Sequence, residues 1–268
     1  MNTNNSTIKI MYLNPVGFDA YDAFFAEMIK KHKFPNSEIH VASLPSSVGL
    51  MDNLEYRTYN ALIASDLIKA TRQASIEGFD ALIIGCFYDP FLLDSREISG
   101  DMIVVGPCHS SIEIALKLSN SFSVIIGQKK WQHEMQSTII EYGFGDHLAS
   151  FRDVAMTVSE FQVDHGLTEK KLMEAARLAI EEDGAESIIL GCTLEFGFFE
   201  KIQNEFNIPV IDPSLAALKQ AEQSAILKNQ FGWKPSRHWS TEAPPEDDIS
   251  RFGLFKEDYH FGNRIIVK

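Results

Sequence analysis

Cys86 and Cys192 are the residues whose type and spacing best suit them to chemistry. Each follows a glycine that closes a short apolar run. Gly78-Phe79-Asp80-Ala81-Leu82-Ile83-Ile84-Gly85-Cys86 resembles Gly184-Ala185-Glu186-Ser187-Ile188-Ile189-Leu190-Gly191-Cys192 at an offset of 106 residues. The same offset pairs Val104 with Val210, Pro107 with Pro213 and Ala115 with Ala221, with no gap. Chance readily matches a Gly-Cys pair. It much less readily matches a strand, a cysteine, a second strand, a proline and a helix in order. A single Gly-Cys at a strand end is ordinarily a small buried residue. Two at equivalent places point to a shared task.

Inverting a stereocentre at a carbon acid is such a task. A proton must leave one face and another must arrive on the opposite face. Two groups on opposite sides of the substrate do this without turning it over. One starts deprotonated and the other protonated, and the roles reverse with the substrate's hand. A thiol, with a reference pKa of about 8.5, lies close enough to neutrality to be tuned for either role. A helix N-terminus lowers it further. Strand-to-helix turns also offer backbone N–H groups to a carboxylate or a developing enolate oxygen.

The elements that must position these thiols alternate along the chain. Residues 8–13, 38–42, 81–84, 102–105, 122–126, 187–190 and 208–211 are short apolar runs rich in Ile and Val. Helical patterns separate most of them, at residues 18–31, 58–77, 110–118, 168–182 and 214–228. This alternation predicts an α/β fold with mainly parallel sheets flanked by helices. The repeat predicts two pseudo-symmetric lobes with the active site in the cleft between them. Each cysteine then lies beyond the carboxyl end of a strand, where such sheets bind ligands. The expected division is residues 1–118 with 215–228, residues 119–214, and a C-terminal arm, 229–268. The arm carries Trp233, Trp239, Phe252, Phe255, Tyr259 and Phe261, and is expected to pack on the body or on another subunit. The irregular stretch 42–57 follows a strand and is placed to line a ligand crevice.

Composition narrows the partners. A net charge of −13 argues against nucleic acid and against an anionic membrane surface. No apolar run approaches the ~20 residues of a membrane span. The polar opening, residues 1–7, does not read as a leader, and the cytoplasm is the expected compartment. Three cysteines without a C-x-x-C unit offer no zinc or thioredoxin-like motif, so no metal is expected.

Together, Asn14-Pro15, Gly85-Cys86-Phe87-Tyr88-Asp89-Pro90, Gly191-Cys192-Thr193 and Ile208-Pro209-Val210-Ile211-Asp212 resemble the Asp/Glu racemase superfamily, in its hydantoin-racemase-like branch. The resemblance spans roughly residues 8–227. It implies two α/β lobes, no cofactor, a homo-oligomer, and Cys86 and Cys192 as the acid/base pair. It also implies that Asn14 and Thr193 contact the polar groups of a small substrate, a carboxylate or an amide. Phe87, Gly106 and Gln128 are further expected substrate contacts. Departures from the branch are Val16-Gly17 after Asn14-Pro15, Gly127-Gln128-Lys129-Lys130-Trp131 after the fifth strand, and Thr193-Leu194-Glu195-Phe196 after the second cysteine. They predict a remodelled pocket. The expected activity is therefore racemization or epimerization of a small amino-acid derivative or cyclic amide. Alternatives are cis–trans isomerization of a small dicarboxylate by cysteine addition, and ligand binding without catalysis.

Other residues read two ways. Asp89 either orients a thiol or substrate amine, or caps a helix starting at Pro90. Glu195, its counterpart in the repeat, either caps or biases Cys192. Glu55 resembles a family segment or is a helix-start acid. Lys129 and Lys130 attract an anion or lie in a solvated turn. Cys108 matches Ser214 in the repeat, so symmetry gives it no catalytic role.

Overall fold

The computed structural model describes residues 7–268. The opening on which the leader was judged lies outside them, apart from Thr7. Two compact units are present. Unit 1 is Met1–Ile84, Pro90–Val105 and Leu218–Lys268; unit 2 is Gly85–Asp89 and Gly106–Ala217.

Unit 1 begins with β1 (Ile8–Asn14), α1 (Asp22–His32), β2 (Ser37–Ser43), α2 (Arg57–Ile76) and β3 (Ala81–Ile84). The short α3 (Leu92–Ile98) and β4 (Ile103–Val105) follow. β1 and β3 are almost wholly buried, which is why they read as continuous apolar runs rather than alternating ones. Unit 2 holds α4 (Pro107–Leu118), β5 (Phe122–Ile126), α5 (Gln132–Glu141), β6 (Leu148–Asp153), α6 (His165–Glu181) and β7 (Ser187–Leu190). It continues with α7 (Phe199–Phe206), β8 (Val210–Ile211) and the start of α8 (Pro213–Phe231). The rest of α8, then α9 (Glu246–Phe252) and β9 (Arg264–Val267), belong to unit 1.

The two sheets have the same order. Unit 1 runs β4-β3-β1-β2 and unit 2 runs β8-β7-β5-β6, all parallel. The repeat is thus topological as well as sequential, and it reaches further back than the matched residues. The 106-residue offset relates β3 to β7 and β4 to β8, whereas β1 and β5 fall outside it. The preceding loops differ in length, so the offset is lost upstream.

Two expectations about boundaries change. α4 was grouped with the first lobe, yet it clusters with unit 2, where it packs against β5, β7 and β8. The arm is not simply extended. Its end forms β9, which adds antiparallel to the β2 edge, pairing Val41 with Ile265 and Ile39 with Val267. An otherwise open edge is thereby covered. Its aromatics are not uniformly buried: Trp239 is 92% exposed. Several stack on cations instead, Arg72 over Phe255, Arg251 over Phe252 and Arg264 over Phe261. Among the described residues no helix is long and apolar enough to cross a membrane.

Candidate active site

The two Gly-Cys turns are tied to one another. The hydroxyl of Thr193, the residue after Cys192, donates to the carbonyl of Gly85, the residue before Cys86, at 3.1 Å. Both turns belong to unit 2. Thr193 Oγ1 is the direct link, while Ser214 Oγ donates to the Thr193 carbonyl at 3.1 Å and fixes the second turn from behind. None of the three cysteines is in a disulfide. Cys86 is part-exposed, whereas Cys192 and Cys108 are buried.

Each cysteine lies just past its strand, as expected, but not on a helix N-terminus. α3 starts at Leu92 and α7 at Phe199. Left-handed residues intervene, Asp89 (φ 49°) and Phe91 (φ 53°) in the first copy and Gly197 (φ 88°) in the second. They insert a turn between thiol and helix, so the helix does not act on Cys86 at close range. The thiol of Cys86 accordingly moves up, not down. Desolvation pushes it to about 12, Asp89 and Glu134 add to the rise, and the Tyr88 backbone N–H opposes it. Part of its surface is exposed, yet enough protein surrounds the sulfur to disfavour the anion. Burial therefore favours the protonated form of Cys86. Burial raises the Cys108 thiol as well, with the Asp89 charge adding to it.

Asp89 does cap a helix, but not the one after Pro90. Its Oδ1 accepts from Cys108 N and its Oδ2 from His109 N, both at 2.9 Å, capping the first turn of α4. Tyr142 Oη donates to the same carboxylate at 3.1 Å. Gly106 is what admits it: a Cβ there would lie 2.2 Å from Asp89 Cγ. The expected substrate contact Gly106 thus has a packing duty. In the second copy Asp212 performs the capping, accepting from Ser214 N at 3.0 Å, Leu215 N at 3.2 Å and Gly197 N at 3.2 Å. Glu195 does not cap α8. It is fully buried, and burial pushes its pKa well above the ordinary value, with the backbone N–H groups of Cys192 and Gly191 opposing the rise.

The remaining expected contacts divide. Phe87 is 2% exposed and packs in the core. Gln128 is half-buried just past β5, and its carbonyl accepts from Trp131 N. Asn14 lies in unit 1, where its side-chain amide donates to the Phe18 carbonyl and to Asp22 Oδ1. Glu55 precedes α2 rather than starting it. Tyr142 was not singled out from sequence. It lies 53 residues beyond Asp89, and no local pattern announces that bond.

Burial sets a pH dependence of stability. Desolvation raises Asp22, Asp89 and Asp212 each to about 6, from an ordinary value of 3.8. Between these values the folded chain holds protons that the unfolded chain has released. Stability is therefore expected to fall as pH rises from about 4 to above 6, by on the order of 1–3 kcal/mol per aspartate. Carboxylates held low by arginine partners, such as Asp183 beside Arg152, act below this window. Urea midpoints at pH 4.5 and pH 7 measure the fall. Asp89→Asn should shrink it, and an unchanged difference would remove Asp89 as a cause.

The chain is similar to known proteins. The profile of the Asp/Glu/Hydantoin racemase family matches residues 10–221. A hydantoin racemase from Paenarthrobacter aurescens is 33% identical over 187 residues, covering 69% of this chain and 77% of that protein. A hydantoin racemase from Rhizobium meliloti is 32% identical over 162 residues, 60% of this chain and 67% of its own. The structure of an allantoin racemase from Klebsiella pneumoniae aligns with a TM-score of 0.80 at 25% identity, covering 89% of this chain and 94% of that one.

Proposed function

The chain belongs to the Asp/Glu/hydantoin racemase family and is an isomerase, a racemase, and from that premise we propose that it inverts a hydantoin-like cyclic amide by moving a proton between Cys86 and Cys192. The observation that carries the reading is the Thr193–Gly85 hydrogen bond, which joins the two Gly-Cys turns. The names of the similar proteins support the substrate class, because hydantoin and allantoin share one five-membered ring. Its stereocentre bears a proton next to a carbonyl, and loss of that proton leaves an enolate.

One thiolate removes the proton as the thiol opposite delivers another. Burial raises the Cys86 thiol and favours its protonated form, so this reading starts the cycle with Cys86 as the acid and assigns the base to Cys192. After one turnover the roles are exchanged, and the next substrate of opposite hand restores them. Thr193 and Gln128 share a unit with both thiols and are assigned to the polar edge of the substrate. No metal or cofactor is required by this sequence of steps. A homo-oligomer belongs to the same reading, supported by the exposed Trp233 and Trp239 of the C-terminal arm.

The test is a single-enantiomer 5-substituted hydantoin in D₂O, followed by polarimetry and proton NMR. Above the uncatalysed rate, optical rotation should decay as deuterium appears at the stereocentre of the product. Inversion that retains the original proton would overturn proton exchange through two thiols. Absence of turnover with hydantoins, but turnover with open-chain amino acids, would overturn the substrate class.

A further inference from the structure

The C-terminal arm does more than cover an edge. Residues 229–268 lie beyond the stretch that the family profile matches, 10–221. Just before β9 the arm turns against the carboxyl end of β2. Gly262 N donates to the Ser43 carbonyl at 3.0 Å, and Asn263 N donates to Ser43 Oγ at 3.3 Å. A Cβ on Gly262 would lie 2.5 Å from the Leu44 carbonyl oxygen, so this close approach needs glycine. Ser43 ends β2 and is the register partner of Asn14, which ends β1. Carboxyl ends of parallel strands are where such sheets bind ligands.

One carboxylate ties β1, β2 and the arm together. Asp22, fully buried at the start of α1, accepts from Asn14 Nδ2 at Oδ1, 2.9 Å, and from Asn263 Nδ2 at Oδ2, 3.3 Å. The Ser43 hydroxyl supports the same carboxylate. Asn14 Nδ2 also donates to the Phe18 carbonyl at 3.1 Å, so both hydrogens of its amide are in use. Two acceptors on one side decide which end of the amide is nitrogen. Asn14 Oδ1 has no hydrogen-bond partner among the described residues. An amide held in this way can only accept. It suits an N–H of a ligand and has nothing to offer a carboxylate. Every residue of this network belongs to unit 1. Asp22 has few means of holding its charge where water is excluded, and bonds to a charged group are the strong ones. Loss of the Asn263 donor therefore loosens the carboxylate, and with it the grip on Asn14.

We propose that Asn263 is a positioning residue which, acting through Asp22, holds both amide hydrogens of Asn14 toward Asp22 and Phe18, so that Asn14 offers a ligand only an acceptor and selects an N–H donor. The proposal rests on the reading of the substrate as a cyclic amide, whose ring N–H groups are such donors. It narrows the expected contact of Asn14 from a carboxylate or an amide to an amide N–H. It also gives the arm a part in ligand selection, from outside the stretch that the family profile matches.

The test joins steady-state inversion of a 5-substituted hydantoin to hydrogen exchange of the Asn14 side-chain amide, read by NMR on the full chain without ligand. Asn263→Ala keeps the backbone bonds to Ser43. It should raise KM about tenfold with kcat changed less than about twofold, and speed exchange of the Asn14 amide about tenfold. In an Asn14→Ala background the same change should leave KM within about twofold, because its effect passes through Asn14. A fall in kcat at unchanged KM, or an equal rise in KM without Asn14, makes the arm a structural element alone and overturns the proposal. Unchanged exchange at Asn14 overturns it too. Methylation of one of the two ring nitrogens should raise KM about tenfold more in the parent than in Asn14→Ala. No such dependence at either nitrogen overturns the choice of an N–H donor. If the alanine variant does not fold, Asn263→Asp, of the same size and without the donor, decides by the same readings. Hydantoins left unturned by the parent would instead sink the cyclic-amide reading, and the exchange measurement then decides for Asn263 by itself.

Discussion

Replacing either Cys86 or Cys192 by serine is expected to lower inversion by roughly 10²–10⁴-fold, the usual worth of a positioned acid or base. A hydroxyl at either place is too weak an acid to trade protons with a carbon acid on this time scale. The informative residue of activity is exchange. With one thiol intact, the proton on its own face can leave and return, so one enantiomer should still take up deuterium with retention. The two serine variants should therefore show opposite preferences, one washing deuterium into one hand and the other into its mirror image. Proton NMR of each resolved enantiomer in D₂O reads this directly. Full inversion in either variant, or the same enantiomer exchanging in both, would be incompatible with a thiol on each face. The raised Cys86 thiol adds a direction. Losing the resting proton donor should leave abstraction by Cys192 intact, so Cys86→Ser is the variant expected to retain the faster exchange.

The same asymmetry marks how far the sequence could be read. Alternating apolar runs and helical patterns sufficed for two parallel α/β sheets, because β1, β3, β5 and β7 are buried along nearly their whole length. β6 escaped notice because Leu148–Asp153 is a half-exposed edge with no apolar run. β9 escaped because an edge pairing with β2, more than 200 residues away, leaves no local trace. The equivalence of the two Gly-Cys turns was legible through the repeat, since both follow the matching strands β3 and β7. What surrounds them was not. The capping of α4 by Asp89 spans 19 residues, its bond from Tyr142 spans 53, and the Thr193–Gly85 link spans 108. Such contacts depend on tertiary placement, which periodicity does not encode. The helix-lowered thiol was misjudged for a local reason: left-handed residues at 89 and 91 delay α3 past Cys86.

The Asp89–Gly106 contact is where sequence, packing and chemistry can be separated most sharply. Gly106→Ala is expected to cost about 3 kcal/mol, since overpacking alone is worth 1–3 and a lost cap another 0.5–2. For a chain of this size that lowers the melting temperature by roughly 6–12 °C. The reason is geometric. The added methyl would lie 2.2 Å from Asp89 Cγ and 2.4 and 2.5 Å from its oxygens, so the carboxylate must leave its two N–H groups and Tyr142. Asp89→Ala should cost a similar amount, by stranding the same donors. Combined, the two changes should cost little more than Asp89→Ala alone, because the methyl then meets no carboxylate. A coupling of about 3 kcal/mol in this cycle is the expected result, and strict additivity would show that the clash is not the cause. The second copy suggests the rescue. Asp212 caps α8 from the position equivalent to Gly106. Asp89→Gly together with Gly106→Asp should therefore recover much of the stability lost in Asp89→Ala, with α4 capped from its own start. The carboxylate would then be repositioned relative to Cys86, so its alkylation profile should shift even as melting recovers. Recovery of melting with an unchanged Cys86 profile would assign Asp89 to the fold alone.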